Sequence, residues 1–282
     1  MRYTQQAAKA ALVVMTVGVA MATAETRKEY RYTVLPHANI SITNQYGSIS
    51  VKPAAGNQVR VVALLQGEKV EVYQKQNGNR VDIASHLLAG ADANSGRVTY
   101  DVLVPADASV TLHSTTGPLL AEKLRGDVTL EGASADMDVR DVSNAHVHVK
   151  SLNGPVRLTN ISQGHVEISS VSGEVVLTSV SGSLVQVNST SGNIHYDGDF
   201  GNGGRYVLTS HTGNIEATAP AYASIDVMAR SEKGTVENDF QLQPEHTNFV
   251  VKAGSAFAGT IGKAASSVKL FSFSGKIHLK KR

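Results

Sequence analysis

The chain has 282 residues, with 26 Lys+Arg against 24 Asp+Glu and neither cysteine nor tryptophan. Without cysteine it can be neither a disulfide scaffold, a thiolate metal centre nor a diacylglyceryl lipoprotein. The small positive charge comes from Arg2 and Lys9 alone, so the rest of the chain is balanced and offers no general attraction to nucleic acid or anionic lipid.

Arg2 and Lys9 stand before the apolar run "AALVVMTVGVAMA" from Ala10 to Ala22, and Ala22-Thr23-Ala24 places small residues just ahead of Glu25. This pattern reads as a secretory signal peptide over residues 1–24, with the mature protein exported to the periplasm, secreted or held at the cell surface. The run is shorter than the about 20 apolar residues a spanning helix needs, so no transmembrane span is expected in the mature chain. Residues 25–282 are read as one all-β domain in three parts: an irregular β N-terminal part over 25–110, regular repeats over 111–196 and looser coils over 197–282. In the first part, "EYRYTVL", "ANISITNQYGSISVKP", "QVRVVALL", "KVEVYQKQNGNRVDI" and "GRVTYDVLVP" predict short strands broken at Gly and Asn. "HLLAGADANSG", His86 to Gly96, predicts a flexible loop between two of them.

From Gly117 a unit of nine or ten residues repeats: "GPLLAEKLR", "GDVTLEGAS", "ADMDVRDVSN", "AHVHVKSLN", "GPVRLTNISQ", "GHVEISSVS", "GEVVLTSVS" and "GSLVQVNSTS". The second, fourth and seventh residues after each turn are apolar, as in Val128, Leu130, Ala133 and in Val147, Val149, Leu152. Period two puts the first pair on one face, and the seventh is expected to point inward again beyond a corner. In the last unit the apolar positions slip by one to Val185 and Val187, which predicts a bulge. The recurring Gly is expected to supply φ > 0 at the corner, with Asn144 taking that role where Ala145 replaces Gly; Ala135 marks a second irregular corner.

Such a unit cannot bury its apolar face alone and must stack, which predicts a single-stranded parallel β-solenoid (β-helix), right-handed by the general preference of parallel crossovers. Two units give a flat coil of about 18 to 20 residues and three a triangular coil of about 27; the small inward residues favour two, because two close sheets leave no central void. A two-unit coil sets the unit at Ala145 beside the unit at Gly164, so that His146 pairs with His165 and His148 with Glu167. These four residues are the candidate ligand-binding patch, since imidazole and carboxylate can ligate a metal or respond to pH. An exposed polar ladder without a ligand is the favoured reading, and no metal and no cofactor is expected. A triangular coil would instead stack Ala145 on Gly173 and scatter the patch.

No G-x-S-x-G, H-E-x-x-H or P-loop occurs, and catalytic residues are not expected. Asp136 and Asp138 have a spacing compatible with a carboxylate pair but read first as solvated side chains. "DGDFGNGG", Asp197 to Gly204, has calcium-loop spacing without the distal Glu and reads as a glycine-rich bend.

The segments "ANISITNQYGSISV", "VTYDVLVPADASVTLHSTTG", the tandem "SVSGEVVLTSVSG" units and the closing "SFSGKIHLKK" together resemble the bacterial putative-adhesin family of β-strand-repeat domains of unknown function. The resemblance spans Asn39 to Lys280 and includes Val104-Pro105 leading into the glycine repeats. It implies an exported, non-catalytic β-solenoid acting as an adhesin-like structural or interaction module of the cell envelope, and brings no binding residues with it. Its partner is then an unknown envelope protein or glycan, not nucleic acid. A polysaccharide-active β-helix enzyme and a periplasmic component of an envelope signalling system remain as alternatives.

Overall fold

The computed structural model describes residues 25–243 and 255–282. The signal peptide expected over 1–24, and the middle of the glycine- and alanine-rich stretch that follows Gln241, lie outside the described residues. Within them the chain is all-β, a mixed sheet whose strands all connect.

Continuity comes from two long strands, Val156–Ser170 and Val175–Ser189, each of which bends at a corner and serves two faces. Along one face the order is Val70–Asn77, Arg80–Leu87, Asn39–Tyr46, Ser109–Thr116, Val128–Gly132, His146–Ser151, and the second halves of the two long strands. Arg205–Ser210, Ser266–Ser272, Ile225–Ser231 and Ala256–Ile261 complete it. The other face runs Thr26–Thr33, Gln58–Leu65, Val98–Pro105, Ile49–Ala54, Leu119–Glu122 and Met137–Ser143, then the first halves of the long strands. It ends with Ile194–Asp197, Ile215–Ala219, Ile277–Lys281 and Val236–Asn238.

Pairing is parallel through the middle and antiparallel near the ends, at Thr26–Thr33 with Gln58–Leu65, Gln58–Leu65 with Val98–Pro105, Val70–Asn77 with Arg80–Leu87, and Ile225–Ser231 with Ala256–Ile261. In the repeats the offset is regular: Val128 lies opposite Val147, Val147 opposite Val166 and Val156 opposite Val175. Inward residues of both faces, among them Val147, Leu158, Ile168 and Leu177, belong to one buried cluster. Alternation fixes which side chains enter it, and a one-residue slip would turn each strand inside out.

The register between Val156–Ser170 and Val175–Ser189 shifts at Gly164, after which His165 faces Leu184, so the bulge expected in "GSLVQVNSTS" is present. At the looser C-terminal end the order departs from the sequence: Ser266–Ser272 sits between Arg205–Ser210 and Ile225–Ser231, and Ile277–Lys281 between Ile215–Ala219 and Val236–Asn238. The stretch from His86 to Gly96 begins within the strand Arg80–Leu87 and then carries its own hydrogen bonds. Asp92 Oδ1 accepts bonds from the Ser95 amide at 2.7 Å and the Asn94 amide at 3.1 Å, and Lys69 Nζ donates to the Gly90 carbonyl at 3.0 Å.

The corners correct two expectations. Gly117, which opens the repeats, does adopt φ > 0, but Gly154, Gly173, Gly192, Gly213, Gly234 and Gly275 do not. These six are glycines because the coils touch there: a Cβ on Gly173 would lie 1.9 Å from the Gly154 carbonyl oxygen, and one on Gly192 2.1 Å from that of Gly173. Left-handed backbone appears instead at Lys123, Asp141, Asn160 and Ser179, one per coil, and at Asn144, as anticipated.

The second correction concerns the seventh position. It points inward at Val142, Ile161 and Val180, but Ala133 is only partly covered, and Leu152 (54%) and Val171 (44%) are exposed. In those units the buried corner residue is the sixth, a serine: Ser151, Ser170, Ser189, Ser210, Ser272 and Ser231 form a continuous column. Each belongs to an S-x-x-G motif, and in all but that of Ser189 the hydroxyl is hydrogen-bonded to glycine backbone. Ser170 Oγ donates to the Gly173 carbonyl at 2.9 Å, and the amides of Gly213 and Gly275 donate to Ser210 and Ser272 Oγ at 2.9 Å. Burying a hydroxyl is tolerable when it is bonded in this way. One coil inverts the motif, with Gly132 in the serine position and Ala135 in the glycine position. A Cβ on Gly132 would come within 2.8 Å of the Ala135 Cβ, so the alanine methyl fills the space that the serine side chain takes elsewhere.

Candidate functional site

Outward residues of the first face form rows across the strands, because each rung repeats its neighbour's register. The candidate patch assembles as the two-unit coil requires: His146 lies opposite His165, and His148 opposite Glu167. This pairing removes the triangular coil. The His146 and His165 rings are 5.2 Å apart between centroids and tilted by 57°. Glu167 lies between the other two imidazoles, 3.2 Å from His165 Nε2 and 3.5 Å from His148 Nδ1. The His146 backbone amide donates to Asp127 Oδ1 at 2.9 Å.

The four side chains thus share one patch but do not close on a point; among the described residues no group of three or more His, Asp or Glu is placed to hold a metal ion. The patch belongs to a wider pattern of histidines beside carboxylates, with His113 3.2 Å from Glu131, His195 3.3 Å from Glu174 and His278 2.9 Å from Asp239. The His278 hydrogen bond, and then the Lys281 amide, hold the Asp239 carboxyl below its usual range. These groups are exposed, where single ion pairs contribute little to stability.

The other two acidic motifs resolve into structural roles. Asp138 is paired with Arg140 on its own strand, while Asp136 is exposed and sits just outside it. In "DGDFGNGG" the bend carries Phe200 at φ 61° into the core. Phe200 stacks on Tyr196 at 4.3 Å and meets Tyr206 edge-on at 5.1 Å, and Tyr196 Oη accepts from the Phe200 amide at 3.1 Å.

A groove that the sequence reading did not anticipate runs beside the patch, along the serine corner and across the strands. Its volume is about 480 Å³, and Glu131, Lys150, Ser169 and Asn188 line one side, Leu152, Val171 and Thr190 the other, with the serine column as its floor. Lys150 Nζ lies 3.3 Å from Glu131 Oε1, so the two charges at one end neutralise each other. The wall residues repeat rung by rung: Glu131, Lys150, Ser169, Asn188 and Thr209 are successive register partners. Backbone groups on the opposite wall are already spent between coils, with Leu152 N donating to Gly132 O, Val171 N to Ser151 O and Thr190 N to Ser170 O, each at 3.1 Å. Apart from Gly132 at one end, the groove presents side chains to whatever enters it.

A signal for this groove was present in the sequence. The seventh positions of alternate units stay apolar at Val142, Ile161 and Val180, while the others drift from Ala133 through Leu152 and Val171 to Thr190. A position that changes polarity along the stack is not a core position.

The model of the Toastrack DUF4097 family matches residues 37–280. No curated protein matches the chain. Among solved structures the chain is similar to one described as a "putative cell adhesion protein from Clostridium sporogenes ATCC 15579", at 13% identity and a TM-score of 0.30, covering 91% of this chain and 100% of that one.

Proposed function

Starting from the fact that the chain belongs to the Toastrack DUF4097 family, we propose that it is an exported, non-catalytic β-solenoid that serves as an adhesin-like interaction module of the cell envelope. The solenoid reading is supported by the parallel register of the repeats, Val128 to Val147 to Val166, which makes these coils 19 residues long and places each within hydrogen-bonding distance of the next. Export is supported by the composition of residues 1–24. No helix among the described residues is long and apolar enough to cross a membrane.

The observation that carries the interaction reading is the corner groove. Large apolar side chains stand exposed at Leu152 and Val171 on a backbone that cannot yield, because every rung is paired on both sides. Exposed apolar residues in register on a rigid frame, bordered by polar ones, are the usual anatomy of a recognition surface. A non-catalytic role fits the acidic groups, because Asp138 is engaged in an ion pair with Arg140 on its own strand and Asp136 lies exposed beside it.

Fractionation of the native host tests this reading. The processed chain, with its N-terminus at Glu25 by mass spectrometry, is expected in the periplasm or on the surface, and acidic and neutral polysaccharides incubated with the pure protein should gain no reducing or unsaturated ends. Retention of residues 1–24 in a cytoplasmic product, or steady release of new ends, would overturn it.

A further inference from the structure

We propose that the corner groove binds an uncharged, extended β-linked polysaccharide lying along the stack axis, roughly one sugar per coil. The inference rests on the interaction-module reading and names the ligand class of the same groove.

Three observations point to this chemistry. First, the groove crosses the strands, and its neighbouring amides are consumed between coils at Leu152, Val171 and Thr190. A peptide therefore cannot be held by strand addition, which depends on free backbone groups at an edge. Recognition falls to side chains that recur at the strand spacing of about 4.8 Å, a period suited to a polymer of identical units that each advance by a similar length. Second, the two walls differ in kind. Ser169 and Asn188 offer hydroxyl and carboxamide groups, while Leu152 and Val171 offer apolar surface. A hexose in a β-linked chain has the same division, with hydroxyls around its edge and C–H groups on its faces. The Lys150–Glu131 pair leaves no net charge at the groove, which favours a neutral sugar over a uronate.

The third observation is an orphan hydroxyl. Ser189 lines the groove at 8% exposure, and its Oγ has no hydrogen-bond partner, whereas Ser151, Ser170 and Ser210 in the same column are bonded to glycine backbone. Buried hydroxyls are normally paired, and a ligand hydroxyl at the floor of the groove would supply the partner that this one lacks. Beyond Thr190 the same wall continues through His211, whose ring stacks on Phe273 at 4.8 Å and supplies a flat surface for a further sugar.

The test is calorimetric or NMR titration of the purified protein with β-linked glucose and β-linked N-acetylglucosamine oligomers of increasing length, with a Ser/Thr-rich extended peptide alongside. Affinity is expected to rise with oligomer length and to level off once the groove is spanned. Val171→Glu, at an exposed position that should not disturb folding, is expected to weaken binding about tenfold or more, and Ser189→Ala severalfold, while His146→Ala on the adjacent row should leave it unchanged. Absence of binding by every oligomer, affinity independent of length, an unaffected Val171→Glu variant, or preference for the peptide would each overturn the proposal. A protein that fractionates with the envelope yet ignores all oligomers loses only the glycan; one that binds them but stays in the cytoplasm loses only the envelope role.

Discussion

The inverted corner at Gly132 and Ala135 allows the packing logic of the coils to be tested by a double-mutant cycle. Installing serine at position 132 puts a Cβ 2.8 Å from the Ala135 Cβ and 2.7 Å from Met137 Cε, where carbon atoms rest at about 3.5–4.0 Å. The methionine end can swing away but the alanine methyl cannot. Overpacking of this kind costs about 1–3 kcal/mol, so Gly132→Ser alone should lose about 2 kcal/mol. Ala135→Gly alone removes a buried methyl, about 0.8 kcal/mol, and adds the entropy of glycine, about another 0.5–1 kcal/mol. Together they recreate the S-x-x-G corner that Ser151 and Gly154 already form, with the hydroxyl 2.6 Å from the Gly154 carbonyl oxygen. The double variant should then lie within about 1 kcal/mol of the parent, against a loss of about 3.5 kcal/mol if the effects were independent. Guanidinium unfolding of the four proteins, with equal m-values as the check on a common unfolded state, measures the coupling. Costs that add to within about 0.5 kcal/mol would refute the idea that the alanine methyl stands in for the serine side chain.

Val147→Asp, which drives a charge into the dry stack, should cost several kcal/mol, while Ser169→Asp on the outer face should change the melting temperature little; indistinguishable melts would mean the facing is wrong. Burial pushes the Tyr100 phenol up to about 12. A raised pKa favours the neutral form in the folded state, so this contribution is intact below pH about 10, the unfolded value, and fades as pH climbs through about 12. Alkaline unfolding followed by circular dichroism should become less steep in Tyr100→Phe, and an unchanged slope would discard the assignment. Calorimetric titration with zinc should show no saturable site at His146, His148, His165 and Glu167; saturable uptake abolished by His165→Ala would instead make the patch a metal centre.

The repeats were legible because alternation and the recurring corner both act locally. "GHVEISSVS" and "AHVHVKSLN" announce their buried positions, and a coil of two units follows from the small volume of Val and Ile side chains facing one another. Pairing of His146 with His165 is a consequence of that coil, which explains why residues 19 apart could be placed side by side without coordinates. What could not be read were effects that depend on the neighbouring coil. The glycines were assigned to turn geometry, whereas the carbonyl of the preceding coil excludes their side chains. Leu152 was assigned to the core by its apolarity, although its corner already holds Ser151 there. The antiparallel ends and the displaced coil at 266–281 are set by long-range pairing, for which a local pattern carries no signal.

The interleaved C-terminal coil constrains how the chain can be assembled. In a stack built strictly in order, each new coil can settle on the last as it emerges, and shortening the chain only removes a terminal layer. Here residues 225–238 are synthesised before 266–281 yet lie outside them, separated from 205–219 by a strand layer that does not yet exist. During synthesis, residues 225–231 can pair early with 256–261, but their place in the stack beyond 205–210 cannot be taken up until 266–272 has been laid down between them. Loss of 266–282 would therefore open a gap inside the stack, and a nascent chain should gain protease resistance at this end in one late step instead of coil by coil.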